Sequence, residues 1–186
     1  MSARRLGQQG FSLIEVLVTI LILSIGLLGI AGLQSRLQTS EMEAYQRSQA
    51  LVLLGDMANR LASNRNAASA YVTGPGNPVG VGNTCSTSTA SRTDIDLGEW
   101  CNALQGAAES ITSGRVGAML GGRGCVESLG SGEYLITVAW QGMGPLSAPP
   151  ASVACAAGEY DGASGSACAN DKCRRVVTTI VRVPDL

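Results

Sequence analysis

Few residues in this 186-residue chain have types and spacing suited to chemistry. They are one glutamate in an apolar run, six cysteines, and the neighbouring Asp94 and Asp96. The chain has no histidine, which excludes Ser–His and Cys–His nucleophile pairs and requires four thiolates for a zinc site. It also has no GxxxxGK[ST] phosphate loop. These features predict that the protein is not an enzyme and uses no metal or cofactor.

The cysteines all follow the apolar run, and an even number of cysteines in a small exported domain predicts disulfides. The stretch "CANDKC" could instead be half of a metal site or a redox dithiol, but it lacks CxxC spacing. The sequence does not select the connectivity; one arrangement pairs the first two cysteines and forms two bridges among the other four. The candidates are Cys85, Cys101, Cys125, Cys155, Cys168 and Cys173.

Asp94 and Asp96 lie near the start of a short predicted helix in "TDIDLGEWCNALQGAAES". Carboxylates are favoured there by the helix dipole, so we interpret both as cap residues rather than as a catalytic pair. Thr93 or Asp94 is the predicted N-cap. Trp100, on the same helix, is predicted to be buried in the core.

Composition limits the possible partners and the size of the core. The net charge of −1 gives no indication of nucleic-acid binding. Aromatic residues make up only 4% of the chain, whereas glycine occurs 24 times. We therefore expect a loop-rich head with a modest core, held together by disulfides.

The apolar run predicts one membrane-spanning helix. Residues 16–35 carry no charge, and a helix of that length spans about 30 Å, the thickness of the hydrocarbon core. Arg4 and Arg5 precede the run, which places the N-terminus in the cytoplasm and the remainder across the membrane. Three interpretations compete: a cleaved secretory signal ending near "GIAGLQS", a plain anchor with Glu15 at the membrane edge, and a prepilin leader.

The third interpretation explains the glutamate. "QQGFSLIEVLVTILIL" resembles the class III signal of type IV prepilins and pseudopilins, with a short basic leader, a glycine, a phenylalanine and a glutamate at the fifth position after the glycine. The resemblance implies that a membrane-bound prepilin peptidase cuts after Gly10 and N-methylates Phe11. It assigns Glu15 to docking between subunits.

Electrostatics supports this role for Glu15. Cleavage frees an α-amino group one helical turn from the carboxylate, and an N-methylated amine stays cationic near neutral pH. An unpaired charge in a low-dielectric environment costs more than a matched pair. An incoming subunit that offers its amine to Glu15 would therefore gain affinity and axial register.

The remaining pattern predicts an α+β pilin fold, in which a long N-terminal helix packs on an antiparallel sheet. No proline interrupts residues 11–64, where we expect one helix that Gly26, Gly29 and Gly32 loosen or bend. "GRGCVESL", "EYLITVAWQG" and "RRVVTTIVRV" are predicted strands, with "GSG" between the first two and a long loop before the third. The predicted apolar stripe of the helix comprises Leu33, Leu37, Ala44, Leu51, Leu54, Ala58 and Leu61.

The predicted organisation has four parts: a leader (residues 1–10), a transmembrane helix (11–35), an amphipathic continuation (36–73) and a globular periplasmic head (74–186). "ALVLLGDMANRLASNRNAASAY", "DIDLGEWCNAL" and "CRRVVTTIVRV" resemble PilV-type minor pilins, also called type IV pilus modification proteins. That resemblance implies a fimbrial subunit that primes pilus assembly near the tip and supports twitching motility and adhesion.

The same resemblance implies a set of partners and locations. The partners are other minor pilins, the major pilin, the inner-membrane assembly machinery and the prepilin peptidase. The protein would span the inner membrane once before assembly and lie in the cell-surface pilus afterwards. Two alternatives stay open: a pseudopilin of a type II secretion system, which a calcium-binding C-terminal loop would favour, and a membrane-anchored adhesin outside a filament.

Overall fold

The fold is an α+β pilin fold, described by a computed structural model for residues 11–107, 110–111, 114–115 and 119–183. Helix α1 (Leu13–Ser63) is followed by a 3-10 helix (Arg65–Tyr71). Backbone contacts divide the chain into two compact units, Met1–Glu41 and Met42–Leu186. The other elements are β1 (Val79–Gly80), α2 (Arg92–Leu104), β2 (Ser110–Ile111), β3 (Gly114–Arg115), β4 (Arg123–Gly130), β5 (Glu133–Gln141) and β6 (Arg174–Arg182).

Helix α1 is continuous over 51 residues, close to the predicted bounds. The three glycines do not interrupt it, and each has open space where a β-carbon would lie. In the described part of the chain, α1 is the one helix long and apolar enough to cross a membrane. The apolar side chains of its N-terminal part, within the first compact unit, are exposed.

The buried stripe of α1 differs from the predicted one. The buried residues are Gln46, Ala50, Leu54, Met57 and Leu61, spaced three or four apart on one face. Leu54 and Leu61 were predicted correctly and Ala58 packs at the margin of the core, but Leu51 is half exposed. The predicted members Leu33, Leu37 and Ala44 are also exposed. They lie before Gln46, which is the first buried residue of this helix.

Strands β4, β5 and β6 occupy the predicted positions and pair antiparallel, in the sheet order β1-β4-β5-β6. The "GSG" turn joins β4 to β5, with positive φ at Gly130, Ser131 and Gly132. A β-carbon on Gly132 would lie 2.3 Å from the carbonyl oxygen of Val183, so this turn requires glycine. The two-residue strands β1, β2 and β3 were not predicted; β2 and β3 pair with each other outside the main sheet.

The two faces of the sheet are covered differently. On one face, the buried side chains of α1 pack with Trp100, Val126, Ile136 and Val138. Trp100 is fully buried, as predicted, and its indole N–H donates to the carbonyl of Leu53 on α1 at 3.0 Å. On the other face, a smaller cluster is formed by Ala139, Ala156, Tyr160 and Val176.

Helix α2 begins two or three residues earlier than the predicted caps Thr93 and Asp94 require, and it ends sooner than predicted. Its N-cap is Ser91, whose hydroxyl accepts the amide of Asp94 at 3.1 Å, so the prediction of Thr93 or Asp94 as cap is wrong. The serine is the better cap because its extended backbone turns the hydroxyl toward that amide. The helix ends at Leu104, where Gln105 caps it and Gly106 follows with positive φ.

The six cysteines form three disulfides, as predicted for an exported head. The pairs are Cys85–Cys101, Cys125–Cys155 and Cys168–Cys173. The second pair ties the long loop of residues 142–173 to strand β4. Because "CANDKC" closes on itself as a disulfide, it presents no thiolate for a metal.

Candidate functional site

The N-terminus of α1 carries the residues singled out in the sequence. Phe11 and Ser12 precede the helix, and the carbonyl of Ser12 accepts the amides of Glu15 at 3.0 Å and Val16 at 3.3 Å. Glu15 therefore lies in the first helical turn, where the helix dipole stabilises a carboxylate. Gly10 lies outside the described residues.

Glu15 is the one charged residue within residues 11–35. Its side chain is exposed, and no cation within residues 11–107 or 119–183 forms an ion pair with it. Phe11 is 84% exposed, and its backbone nitrogen is four residues from the glutamate. A cut after Gly10, as the sequence predicts, would make that nitrogen a cationic amine one turn from the carboxylate.

Of the two acids predicted near the start of α2, Asp94 lies in the first helical turn, whereas Asp96 has a different role. Asp96 is not a helix cap: it is buried and accepts from Arg60 at 2.9 Å, Arg92 at 2.8 Å and the hydroxyl of Tyr71 at 2.5 Å. Burial opposes its ionisation, but the hydrogen bonds from Tyr71 and Arg60 and the nearby guanidinium charges hold its pKa below the usual value. Asp96 therefore fastens α2 to α1.

A polar cleft of about 480 Å³ lies between the loop after the 3-10 helix and the start of β4. Asn77, Asn83, Arg123 and Glu159 contribute to its lining. Arg123 pairs with Glu159 at 3.0 Å and lies 5.1 Å from the centre of the Tyr160 ring, a cation–π contact. The positive charge of Arg123 in this cleft is thus already paired with groups of the protein itself.

The C-terminal loop has acids in the region where a calcium site would favour a pseudopilin, but they bind groups of the protein itself. Asp171 pairs with Arg174 at 3.0 Å and accepts the amide of Gly158 at 2.8 Å. Asp161 accepts the amide of Asp171 at 2.7 Å. Across the described residues, no group of three or more His, Cys, Asp or Glu is arranged to hold a metal ion.

Arg60 pairs with Asp56, Asp96 and Glu99, an ion-pair cluster of the head that sequence reasoning missed. Its spacing from Asp56 was a usable signal, since residues four apart on a helix are neighbours. Nothing local in the sequence indicates the contact with Asp96, 36 residues further along.

Comparison with known families finds a match at the N-terminus. Residues 5–31 match the model of the prokaryotic N-terminal methylation motif. No curated protein and no solved structure gives a significant match to the chain.

The motif and the fold together support one class of protein. A methylation motif at residues 5–31, a membrane-length helix and a four-stranded antiparallel sheet support a type IV pilin-like protein, the class that includes pilins and pseudopilins. The motif implies processing by a prepilin peptidase and assembly by pilus-type machinery, and with the apolar helix it supports membrane anchoring. A structural role, rather than catalysis, is what this class suggests.

Proposed function

We propose that this protein is a PilV-type minor pilin that helps prime type IV pilus assembly and is incorporated near the tip. In this proposal residues 1–10 are the leader, 11–35 the filament-core helix, 36–73 its continuation and 74–186 the periplasmic head. Other minor pilins, the major pilin and the inner-membrane machinery are its partners, and it supports pilus formation, twitching motility and adhesion.

One observation carries the proposal: Glu15 is an exposed carboxylate within an apolar helix, without an ion-pair partner among the described residues, and one turn from Phe11, the mature N-terminus in this proposal. A charge at the bilayer centre costs roughly 2.5–3.5 kcal/mol on insertion scales, which is the upper limit for Glu15 in the first turn of the helix. Pairing with the amine of a neighbouring subunit recovers part of this cost, and it does so only at one axial register. Glu15 thus gives assembly both affinity and alignment.

Processing is tested first, by mass spectrometry of the mature N-terminal peptide from cells with and without the prepilin peptidase. The proposal expects a peptide that begins at N-methylated Phe11 and disappears when the peptidase is absent. An N-terminus near Gly32 would instead indicate an ordinary secreted protein. An uncut leader would indicate a plain membrane anchor and would refute the proposed role of Glu15.

Assembly is tested by comparing Glu15→Ala with Glu41→Ala, a matched change at another exposed glutamate of α1. Glu15→Ala should stay in the membrane and be lost from sheared pili, whereas Glu41→Ala should be incorporated like the parent chain. Normal incorporation of Glu15→Ala would contradict the docking role. Intact pili in a deletion strain would favour the adhesin alternative, and loss of type II secretion with intact pili would favour the pseudopilin.

A further inference from the structure

The polar cleft of the head has no part in the proposed function. Its volume of about 480 Å³ lies within the range of roughly 300–1,000 Å³ that is typical of small-molecule sites. Five of its lining residues belong to the loop of residues 76–83, and the other two are Arg123 and Glu159. The cleft is therefore large enough for a small ligand, and few side chains set its chemistry.

The loop that lines the cleft is fixed by hydrogen bonds to neighbouring elements. The side-chain amide of Gln105 donates to the carbonyls of Gly80 at 2.9 Å and Asn83 at 2.7 Å. The backbone amide of Val81 donates to the carbonyl of Gly122 at 2.9 Å. Gly80 has positive φ, and a β-carbon on it would collide with that carbonyl oxygen, so the close approach requires glycine.

Arg123 and Glu159 are held in place as well. Their ion pair measures 3.0 Å, and the guanidinium of Arg123 lies over the ring of Tyr160. The hydroxyl of Tyr160 donates to the carbonyl of Gly121 at 2.8 Å, and a disulfide ties the loop that carries Glu159 to β4. Groups that are ordered before binding lose little conformational entropy when a ligand binds, which favours affinity.

Several polar atoms of the lining stay available to a ligand. The side chain of Asn77 is exposed and forms no hydrogen bond with another described residue. The side-chain N–H of Asn83 donates to the carbonyl of Pro78 at 2.7 Å, which leaves its side-chain oxygen as an acceptor. Glu159 pairs through one carboxylate oxygen with Arg123, and its half-exposed side chain keeps the other oxygen. The cleft thus offers both donors and acceptors.

The charges of the lining cancel. Arg123 and Glu159 form an ion pair, and the other described lining residues are glycines, asparagines and a proline. An anion would have to compete with Glu159 for Arg123, and a cation with Arg123 for Glu159, so neither sign of charge is favoured. Among the described lining residues Pro78 has the one apolar side chain, so an apolar ligand would bury little apolar surface.

A neutral molecule dense in hydroxyl groups fits such a lining. Each hydroxyl both donates and accepts, so it can pair with an amide, a guanidinium or a carboxylate. We propose that the cleft binds a neutral saccharide, whose hydroxyls contact Asn77, Asn83 and the Arg123–Glu159 pair. This inference does not depend on pilus assembly, because every lining residue belongs to the head.

The test is saturation-transfer difference NMR on the full-length chain in phosphatidylcholine nanodiscs, which contain no sugar. The neutral probes are glucose, galactose and N-acetylglucosamine, each as the free sugar and as its methyl glycoside. The charged probes are glucuronic acid and glucosamine, which match glucose but carry one negative or one positive charge. At least one neutral probe should bind, and both charged probes should bind more weakly. A methyl glycoside stands for a sugar within a glycan chain, so its affinity relative to the free sugar distinguishes the two sources.

Three variants locate the site. Asn77→Ala removes an amide that has no partner among the described residues, and it should lower the affinity about fivefold, the effect of one neutral hydrogen bond. Glu159→Gln leaves Arg123 without its counter-charge, so glucuronic acid should gain about tenfold in affinity relative to the neutral probe. Asn66→Ala, at an exposed asparagine outside the cleft, is the matched control and should bind like the parent. An unchanged melting temperature identifies folded variants.

Three outcomes would overturn the saccharide site. The first is the absence of a signal from every neutral probe. The second is stronger binding of a charged probe to the parent chain, which would contradict the neutral lining. The third is binding that Asn77→Ala and Glu159→Gln both leave unchanged in affinity and in preference, because the sugar would then bind elsewhere on the protein.

Discussion

Replacing Asp96 with asparagine should destabilise the head by about 3 kcal/mol. The carboxylate side chain is 2% exposed and accepts hydrogen bonds from two arginines and Tyr71. Removing one partner of a buried ion pair typically costs 3–5 kcal/mol, because the other charge is left uncompensated. Here the lower end of the range applies, since Arg60 keeps Asp56 and Glu99, both more exposed than Asp96.

The assay is urea unfolding of the full-length protein in detergent, followed by tryptophan fluorescence. Asp94→Asn is the matched control: it is the same change two residues away on α2, at a side chain that accepts a hydrogen bond from the hydroxyl of Ser88 at 3.2 Å. It should shift the free energy of unfolding by less than about 0.5 kcal/mol. An Asp96→Asn value indistinguishable from this control would refute the role of Asp96 as a fastener between the helices.

The effect of Asp96→Asn should also depend on pH in a defined direction. The pKa of Asp96 is lowered in the folded protein, so its contribution to stability is complete above the unfolded-state pKa of about 3.9. This contribution is lost as the pH falls toward the folded-state value. The difference in unfolding free energy between the parent and Asp96→Asn should be constant above about pH 5 and shrink below about pH 4. A difference that grows on acidification would contradict the assignment.

Two further predictions concern packing and a buried phenol. A β-carbon on Gly124 would lie 2.2 Å from the ring of Trp100, so Gly124→Ala should cost about 1–3 kcal/mol in urea unfolding, whereas Gly144→Ala, in open space, should change it little. Burial raises the pKa of Tyr160 to about 12. Between about pH 8 and pH 11 the parent should therefore lose about 1 kcal/mol more stability than Tyr160→Phe, which has no phenol to ionise; equal losses would refute this.

The parts of the fold that were predictable depend on local patterns. Residues 133–141 alternate between two faces, and the absence of proline before residue 75 allows one long helix. The Cys85–Cys101 bridge joins a loop to the helix just after it, so chain proximity favours the pair. By contrast, the two-residue strands have no periodicity to detect, because their pairing depends on where the rest of the chain places them.

The candidate site also has residues that the sequence indicates and residues that only the structure shows. The processing motif is continuous in sequence, so the positions of Phe11 and Glu15 within it can be read without a structure, and the roles assigned to them stay predictions. Asp96 was misassigned because a carboxylate near a helix start is usually a cap, and only the packing of α2 on α1 brings Arg60 and Tyr71 to it. Burial of a charge is a tertiary property, which helical spacing does not report.

The chemistry of Glu15 allows its two possible roles to be separated by a charge reversal. On insertion scales a lysine at the centre of a membrane helix costs about as much as an acid, roughly 2.5–3.5 kcal/mol, and alanine avoids that cost. If Glu15 only tolerates the membrane edge, assembly should be insensitive to either change. If it pairs with a neighbour's N-terminal amine, Glu15→Lys replaces attraction with repulsion.

The docking role therefore expects Glu15→Lys and Glu15→Ala to be absent from pili alike, although their levels in the membrane should differ. Alanine should insert at least as well as the parent glutamate, and lysine should insert no better. Quantitative immunoblots of membrane and sheared-pilus fractions measure both levels in one culture. Incorporation of Glu15→Lys at the parent level would mean that no amine meets the carboxylate, and the glutamate would then be a tolerated charge at the membrane edge.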